Sequence, residues 1–588
     1  MSRGLLVEVA CGRRPADVYI ENGRVLNVFS GEVLSGAGVA VAGGRIAYVG
    51  PSRAMIGPGT VCVDAGGGVL VPGYIDPHCH FDFIVSQRRL AEALLPLGTT
   101  ALISDPQAMI TLAGAAGYRF LKQSAAGLPF THYYTVPVVA EAPALGDLGE
   151  VAPLNLSDDE FRSILAEPEV VGTSEYLPWH QLLEARPRDL ERLDLARQLG
   201  KLREGHTPGA SYDKLQAVTA AGITGCHEAL TATEALERLR AGLYVMLRHG
   251  PVRADLPALV PLVLQEGIDR SRLMLAPDWI LPTDLVDRGH MDYLIRVAME
   301  HGVPPVEAYR MATLNPARYF RIEDERGAIA PGRTADILCL DTLTDPRPRW
   351  TMVAGRIVAR DGRVVPHWMP ESAGPAPQLP PYSPHAREAR PEDFHVPAGG
   401  RSGTVRVNAI SLVNRTVTRP TQLDLTVDRG LVSLAGKQRE VLKVAVPRPE
   451  GGFAVAFLVG FGCDIPAFAS SLSADPFQTI VLGSDDGEMA QAYNRLVAIG
   501  GGFVAMEEGR IVVELPCSEG GMVSYLPVPE IAARIRALNR WATERGSAVD
   551  DLFITHHFLT TPGVPFVRMT PWGIYHLRER TFLPTVAA

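Results

Sequence analysis

His78 and His80 stand two residues apart at the end of the run Val71-Pro-Gly-Tyr-Ile-Asp-Pro-His-Cys-His80. On an extended strand, residues i and i+2 project to one face, so two imidazoles placed this way can reach one metal ion. A bare pair is a weak signal, because short motifs recur by chance. It gains weight from further ligand-type residues in order along the chain. Glu175 follows Val170-Val-Gly-Thr-Ser, His206 sits in Glu204-Gly-His-Thr-Pro-Gly, His227 ends Gly222-Ile-Thr-Gly-Cys-His, and Asp278 follows Leu273-Met-Leu-Ala-Pro. Taken singly, a carboxylate at a strand end is more often a helix cap. Together, four histidines and two carboxylates exceed the needs of one tetrahedral zinc and suit two divalent transition-metal ions about 3.5–4 Å apart, with Glu175 bridging. Mixed imidazole and carboxylate donors admit Mn, Fe or Zn. Two cations lower the pKa of a water held between them, and Asp278 beside it can take the proton and pass it to a leaving nitrogen. The chemistry is hydrolytic, with Asp278, Glu175 and His227 as the catalytic set. Cys79 faces away from its histidine neighbours and is read as packing.

Elements of a particular kind must bring these residues together. Over residues 76–329, apolar runs such as Thr99-Thr-Ala-Leu-Ile-Ser alternate with amphipathic helical stretches such as Thr233-Glu-Ala-Leu-Glu-Arg-Leu-Arg. Repeated βα units over this length predict a (β/α)8 barrel, an α/β fold whose chemistry sits at the C-terminal ends of its strands. Residues 1–75 read as short β segments around Asn-Gly and Gly-Gly turns, which are hairpin signals. A matching piece returns at 330–365, so one small β-sandwich domain is expected from both ends of the inserted barrel. Residues 366–403 are Pro-rich and read as a linker or a wrapping segment. Residues 404–588 read as a C-terminal α+β domain with helices over 486–500 and 529–546, and Gly500-Gly-Gly caps the first of them. His556 and His557 read as adjacent strand residues facing opposite ways, unable to chelate one ion together, with one lining a pocket.

Composition narrows the class. The 588-residue chain carries a net charge of −9, with 46% hydrophobic and 21% charged residues. It has no basic footprint for nucleic acid, no apolar run long enough for a membrane span, and no signal-peptide pattern. Seven scattered cysteines without a CxxC pair fit reduced thiols in a cytoplasm. The expected partner is a small-molecule substrate, and the expected assembly a homo-oligomer.

At these residues the chain resembles the amidohydrolase superfamily, and within it the adenine deaminase family. The resemblance extends to Leu95-Pro-Leu-Gly-Thr-Thr, Arg310-Met-Ala-Thr-Leu-Asn-Pro-Ala, Gly327-Ala-Ile-Ala-Pro-Gly-Arg-Thr-Ala-Asp and, far downstream, Gly483-Ser-Asp-Asp-Gly-Glu-Met-Ala-Gln-Ala-Tyr-Asn-Arg-Leu. It implies a β-sandwich, an amidohydrolase barrel, a family-specific C-terminal domain, a binuclear metal centre, and release of ammonia from a purine. Three stretches depart from the family pattern. Asp105-Pro-Gln-Ala stands for Asp-Pro-His-Glu, Cys226-His-Glu for Asp-His-Glu, and Pro277-Asp-Trp-Ile-Leu-Pro for a run bearing Asp, Arg and His. The ligands are kept while the polar residues around them become Gln, Ala, Trp, Ile and Leu. Gln107, Trp279, Ile280 and Glu228 are therefore the expected substrate-binding residues, in a pocket remodelled towards apolar walls. Three readings follow: a purine aminohydrolase for which adenine is at best a poor substrate, a hydrolase of an amide or cyclic amide with a more apolar or aromatic substrate, and a non-catalytic scaffold. The complete ligand set argues against the scaffold.

Overall fold

The structure is a computed structural model that describes residues 3–139, 156–367, 369, 378–384, 387–473, 479–561 and 566–587. Eight parallel strands form its centre: β1 (Tyr74–Cys79), β2 (Thr99–Ser104), β3 (Thr131–Val136), β4 (Val170–Tyr176), β5 (Leu202–Gly205), β6 (Gly225–Cys226), β7 (Tyr244–Arg248) and β8 (Leu273–Ala276). They lie side by side in sequence order, and a parallel bridge between Cys79 and Asp278 brings the last strand back to the first. The ring is therefore a closed (β/α)8 barrel, and the bridge that closes it lies among the metal-ligand candidates. β2, β4 and β8 are buried along their length, as parallel strands sheathed by helices are. The sheathing helices start where local chemistry tells them to. Ser157 and Glu160 form a reciprocal capping box for Asp158–Leu165, and Thr231 accepts from the Glu234 amide to start Ala232–Arg240.

The flanking β structure is shared between distant segments. Strand Val69–Pro72 pairs antiparallel with Ile337–Leu340 on one side and parallel with Arg24–Leu26 on the other. A four-stranded sheet (Arg45–Gly50, Gly38–Ala42, Val18–Glu21, Val61–Asp64) packs against this seven-stranded one. Ile20, Val39 and Ile46 of the first share an apolar core with Leu70, Ile337 and Met352 of the second. The N-terminal stretch is not wholly β: Arg3–Ala10 is a helix whose Val9 packs on Tyr19 and Ala40. The all-β reading failed there because Leu5, Leu6 and Val9 follow a helical period.

The C-terminal domain holds a nine-stranded sheet from Thr404 to Pro516, a three-stranded sheet (Val567–Thr570, Gly573–His576, Thr581–Leu583) and helices Asp486–Ala498, Val528–Glu544 and Leu552–His557. Residues 370–377 of the Pro-rich stretch lie outside the described residues. Its described part wraps this domain: Tyr382 hydrogen-bonds Thr479, and Phe394 stacks near Phe453 with ring centres 4.8 Å apart. His556 and His557 stand on a helix rather than a strand. Asp551 caps its first turn through the Ile554 amide, a signal visible as Asp before an apolar run. The domain is docked on the barrel. One apolar cluster runs from Phe81, Leu94 and Met109 into Leu472, Ile535 and Phe553. The loop after β1 pairs with it as a short parallel ladder, Ile84 with Val523 and Val85 with Ser524.

Gly73 joins the sandwich strand to β1. A Cβ there would lie 2.2 Å from Thr100 Oγ1 and 2.8 Å from its Cγ2. Thr100 is buried and stiff at χ1, so it cannot give way. Gly73→Ala is expected to cost about 1–3 kcal/mol, read as a lower thermal midpoint than wild type. An unchanged midpoint would show that the junction can flex.

Candidate metal centre and substrate cavity

The residues at the strand ends converge. His78 and His80 sit at the end of β1, Glu175 near the end of β4, His206 and His227 directly after β5 and β6, and Asp278 two residues past β8. The ligand atoms form three overlapping groups in which every atom lies within 4.8 Å of the others: His78, His80 and Glu175; His78, His227 and Asp278; Glu175, His206 and His227. Glu175 Oε2 is 2.7 Å from His206 Nδ1 and 3.2 Å from His227 Nε2, while its Oε1 is 3.3 Å from His80 Nε2. Asp278 Oδ1 is 3.3 Å from His80 Nε2 and 3.5 Å from His78 Nε2. Although close, Nε2 of His78 and His80, Nδ1 of His206 and Oε2 of Glu175 are buried and make no directed hydrogen bond. Buried donor atoms gathered within a few ångströms without a directed partner are what a divalent cation needs, and the N and O donors suit Zn, Fe or Mn. The residues fit a metal centre.

A second layer fixes these groups. Asp105 Oδ2 accepts the Glu175 amide at 2.8 Å, and Asp76 Oδ1 accepts the His78 amide at 3.0 Å. Asp76 also faces His290 Nε2 at 2.9 Å, both groups being fully buried. Arg248, the last residue of β7, bonds Glu228 and reaches Asp278 Oδ2 at 3.0 Å. Asp278 has a φ of 64°, a left-handed conformation that Asp tolerates better than most residues. The chain passes so closely there that a Cβ on Gly250 would lie 2.3 Å from the Pro277 carbonyl oxygen and 2.5 Å from that of Trp279. Only glycine lets the β7 loop press against the two peptides flanking Asp278.

Electrostatics follow from this crowding. Burial would raise the Glu175 carboxyl, but His206, His227 and His80 hold it well below the usual range. Burial is likewise overcome at Asp278, held well down by His78, His80, His227 and Arg248. Glu228 is held at about 2, against its burial, chiefly by the Arg248 guanidinium. Burial would lower His206, yet the carboxylates of Glu175 and Glu228 push it up to about 9. His80 is raised well above its ordinary value by Asp278 and Glu175, again against burial.

Beside the donors lies a cavity of ≈ 300 Å³. Gln107, Glu228 and Trp279 line it; Ile280 does not. The neighbouring side chain takes the cavity side, and Ile280 packs into the apolar cluster shared with the C-terminal domain. Gln107 spends its amide on the Glu175 carbonyl at 3.3 Å and on Asp105. Residues that sequence reading did not single out also line the space: Asp82, Phe83, Arg248 and, from the C-terminal domain, Val417 and Phe558. Arg248 did leave a signal, since it ends the apolar run Leu243-Tyr-Val-Met-Leu just as the other site residues end theirs. Val417 and Phe558 left none, because only docking of the domain brings them to the barrel. His557 does not line the cavity; its ring packs on Phe83 and Trp279, with centres 5.9 and 6.0 Å away.

A closed parallel barrel with buried histidines and carboxylates at its C-terminal mouth defines a metal-dependent amidohydrolase, a hydrolytic enzyme acting on a C–N bond. Residues 69–362 match the model of the amidohydrolase family, and residues 415–581 match that of the adenine deaminase C-terminal domain. An adenine deaminase of Cenarchaeum symbiosum is 35% identical over 99% of this chain and 95% of its own length. One of Moorella thermoacetica is 35% identical over 97% and 95% respectively. Among solved structures, a β-aspartyl dipeptidase of Fervidobacterium islandicum superposes with a TM-score of 0.47 at 18% identity, covering 59% of this chain and 98% of its own. The chain belongs to the adenine deaminase family. No helix among the described residues is long and apolar enough to cross a membrane.

Metal ions and protons compete for the same lone pairs, so metal binding releases protons. With His206 at about 9 and His80 raised, both imidazoles hold protons near neutrality and must shed them to act as ligands. Metal affinity is therefore expected to rise with pH from about 6 to about 9, measured by competition with a chromophoric chelator. A flat profile would place the metal on other residues.

Proposed function

We propose that this chain hydrolyses the exocyclic amine of adenine or a closely related 6-aminopurine, consuming water and releasing the 6-oxopurine and ammonia. The reading rests chiefly on full-length similarity to adenine deaminases joined to a donor set at the barrel mouth. His78, His80, Glu175, His206, His227 and Asp278 would hold two divalent ions, Mn, Fe or Zn. When bound, such ions supply Lewis acidity that makes a water nucleophilic at neutral pH. Asp278, kept ionised by its surroundings, takes a proton from that water and delivers it to the departing amine nitrogen. Arg248 holds Asp278 by the oxygen that does not face His78 and His80. Glu228, also ionised, offers an acceptor to a purine N–H, and His227 and Glu175 fix the geometry of attack. The seven unpaired cysteines suit a reducing cytoplasm as the compartment, and a homo-oligomer is the proposed assembly.

The cavity walls bear on the substrate. Phe83, Ala108, Leu177, Pro208, Val252 and Trp279 form apolar walls, beside polar lining groups that include Asp82, Gln107, Glu228 and Arg253. A ring nitrogen left unpaired against such walls costs roughly 1–3 kcal/mol. This favours a purine with an apolar substituent, or an aromatic amide, over bare adenine. Steady-state ammonia release from adenine is expected with kcat/KM below about 10⁵ M⁻¹s⁻¹, alongside a panel of substituted 6-aminopurines and aromatic amides. An amide cleaved while no aminopurine releases ammonia would replace the purine reading with the amide one. Asp278→Asn is expected to lower kcat by about 10²–10⁴-fold with the fold intact. Near-normal turnover in that variant would move the proton shuttle elsewhere.

A further inference from the structure

The cavity has a floor and a roof of different origin. The floor is the donor cluster of the barrel. The roof includes Val417 and Phe558, which come from the C-terminal domain. Phe558 follows the helix Leu552–His557, whose start is capped by Asp551. Just beyond it, the Leu559 carbonyl accepts the Met569 amide of the neighbouring strand at 2.9 Å. The ring is thus held at both ends by secondary structure. Val417 sits in a turn closed by Asn414 Oδ1, which accepts the amides of Thr416 and Val417 at 2.9 and 2.8 Å. The same turn is pinned to the barrel: Arg415 Nη1 donates to the Pro251 carbonyl at 3.1 Å.

Trp279 connects floor and roof. Its ring centre is 5.5 Å from that of His80 and 5.8 Å from that of Phe558, at interplanar angles of 36° and 47°. Phe83 meets it edge-on at 5.3 Å. Trp279 and Phe558 touch each other, so no ring can slide between them. They form one continuous aromatic wall that begins beside a metal-ligand candidate and ends in the other domain.

We propose that Phe558 is a specificity-determining residue: with Trp279 it forms the surface on which a flat heteroaromatic base rests while its amine-bearing carbon meets the donor cluster. The C-terminal domain then contributes directly to substrate recognition. Every base has a π-face, so a wall of this kind favours planar bicyclic rings and discriminates against small or non-planar amides. The proposal rests on the purine reading above for the base it names.

The test uses the metal-loaded full chain and hypoxanthine, which binds as a product and does not react, with calorimetry for affinity and adenine turnover in parallel. Phe558→Leu keeps apolar bulk and removes the ring, whereas Phe558→Tyr keeps the ring. Base–aromatic stacking is lost at about 5- to 100-fold in affinity. We expect Phe558→Leu to weaken hypoxanthine binding about tenfold and to raise KM for adenine similarly. Its kcat should stay within about threefold, its metal content unchanged, and Phe558→Tyr should restore binding to within about threefold. Wild-type affinity in Phe558→Leu would overturn the proposal, as would equal losses in both variants accompanied by loss of metal, or a wild-type enzyme that binds no purine. A wild-type enzyme that binds hypoxanthine, loses it in Phe558→Leu, yet releases no ammonia from adenine would sustain the aromatic wall and sink the deamination reading alone.

Discussion

Desolvated charge governs this structure. Two carboxylates and four imidazoles are gathered at the barrel mouth with Glu175, Asp278, His78 and His227 all buried. Buried ionised groups are costly unless each meets an opposite charge or a metal. Here the carboxylates are matched by imidazoles and by Arg248, and the whole set is held by Asp105, Asp76 and His290 from below. Neutralising one partner weakens the match of its neighbours, although Arg248 would still face Glu228 and Asp255 without Asp278. The barrel closes through Cys79 and Asp278, so the residue that completes the sheet also completes the charge balance. Fold and site are therefore not separable at this point.

The distribution of labour between domains follows from the same geometry. A barrel supplies strand ends on one circle, which suits a compact cluster of ligands. It cannot by itself cover the space above them. The C-terminal domain does so with Val417 and Phe558, joined by Thr416 and Thr561, while the β1 loop carrying Asp82 and Phe83 is tied into it by the Ile84–Val523 pairing. Floor and roof meet at Trp279.

Much of this was legible in the sequence because local pattern and chemistry coincide at strand ends. His78 and His80 announce themselves by a spacing of two, Glu175, His227 and Asp278 each close a strand-like run, and His206 stands in the turn-like Glu204-Gly-His-Thr-Pro-Gly. The return of sandwich strands on the far side of the barrel left its signal in the turns of both segments. What stayed hidden depends on long-range packing. Ile280 and Trp279 are neighbours in sequence, yet only the path of the backbone past Gly250 decides which one faces the cavity. Phe558 gave no hint of a role beside histidines hundreds of residues earlier. The pair His556 and His557 reads as strand because a six-residue helix, Leu552–His557, is too short to show its period; the Asp551 cap is the better guide.

The sandwich shared between the segments that flank the barrel has a consequence for biosynthesis. Strand Val69–Pro72 reaches its antiparallel partner only when Ile337–Leu340 exists, and the Tyr74 hydroxyl waits for the Pro346 carbonyl, 272 residues further on. At ribosomal rates of roughly 5–20 residues per second, this interval is about 15–50 s. Throughout it, the apolar faces of Val25, Leu70 and Val71, all buried in the finished protein, have no final cover. The nascent chain thus presents open β-edges for longer than most single domains take to fold, and the barrel must form in the meantime between two halves of an unfinished sheet.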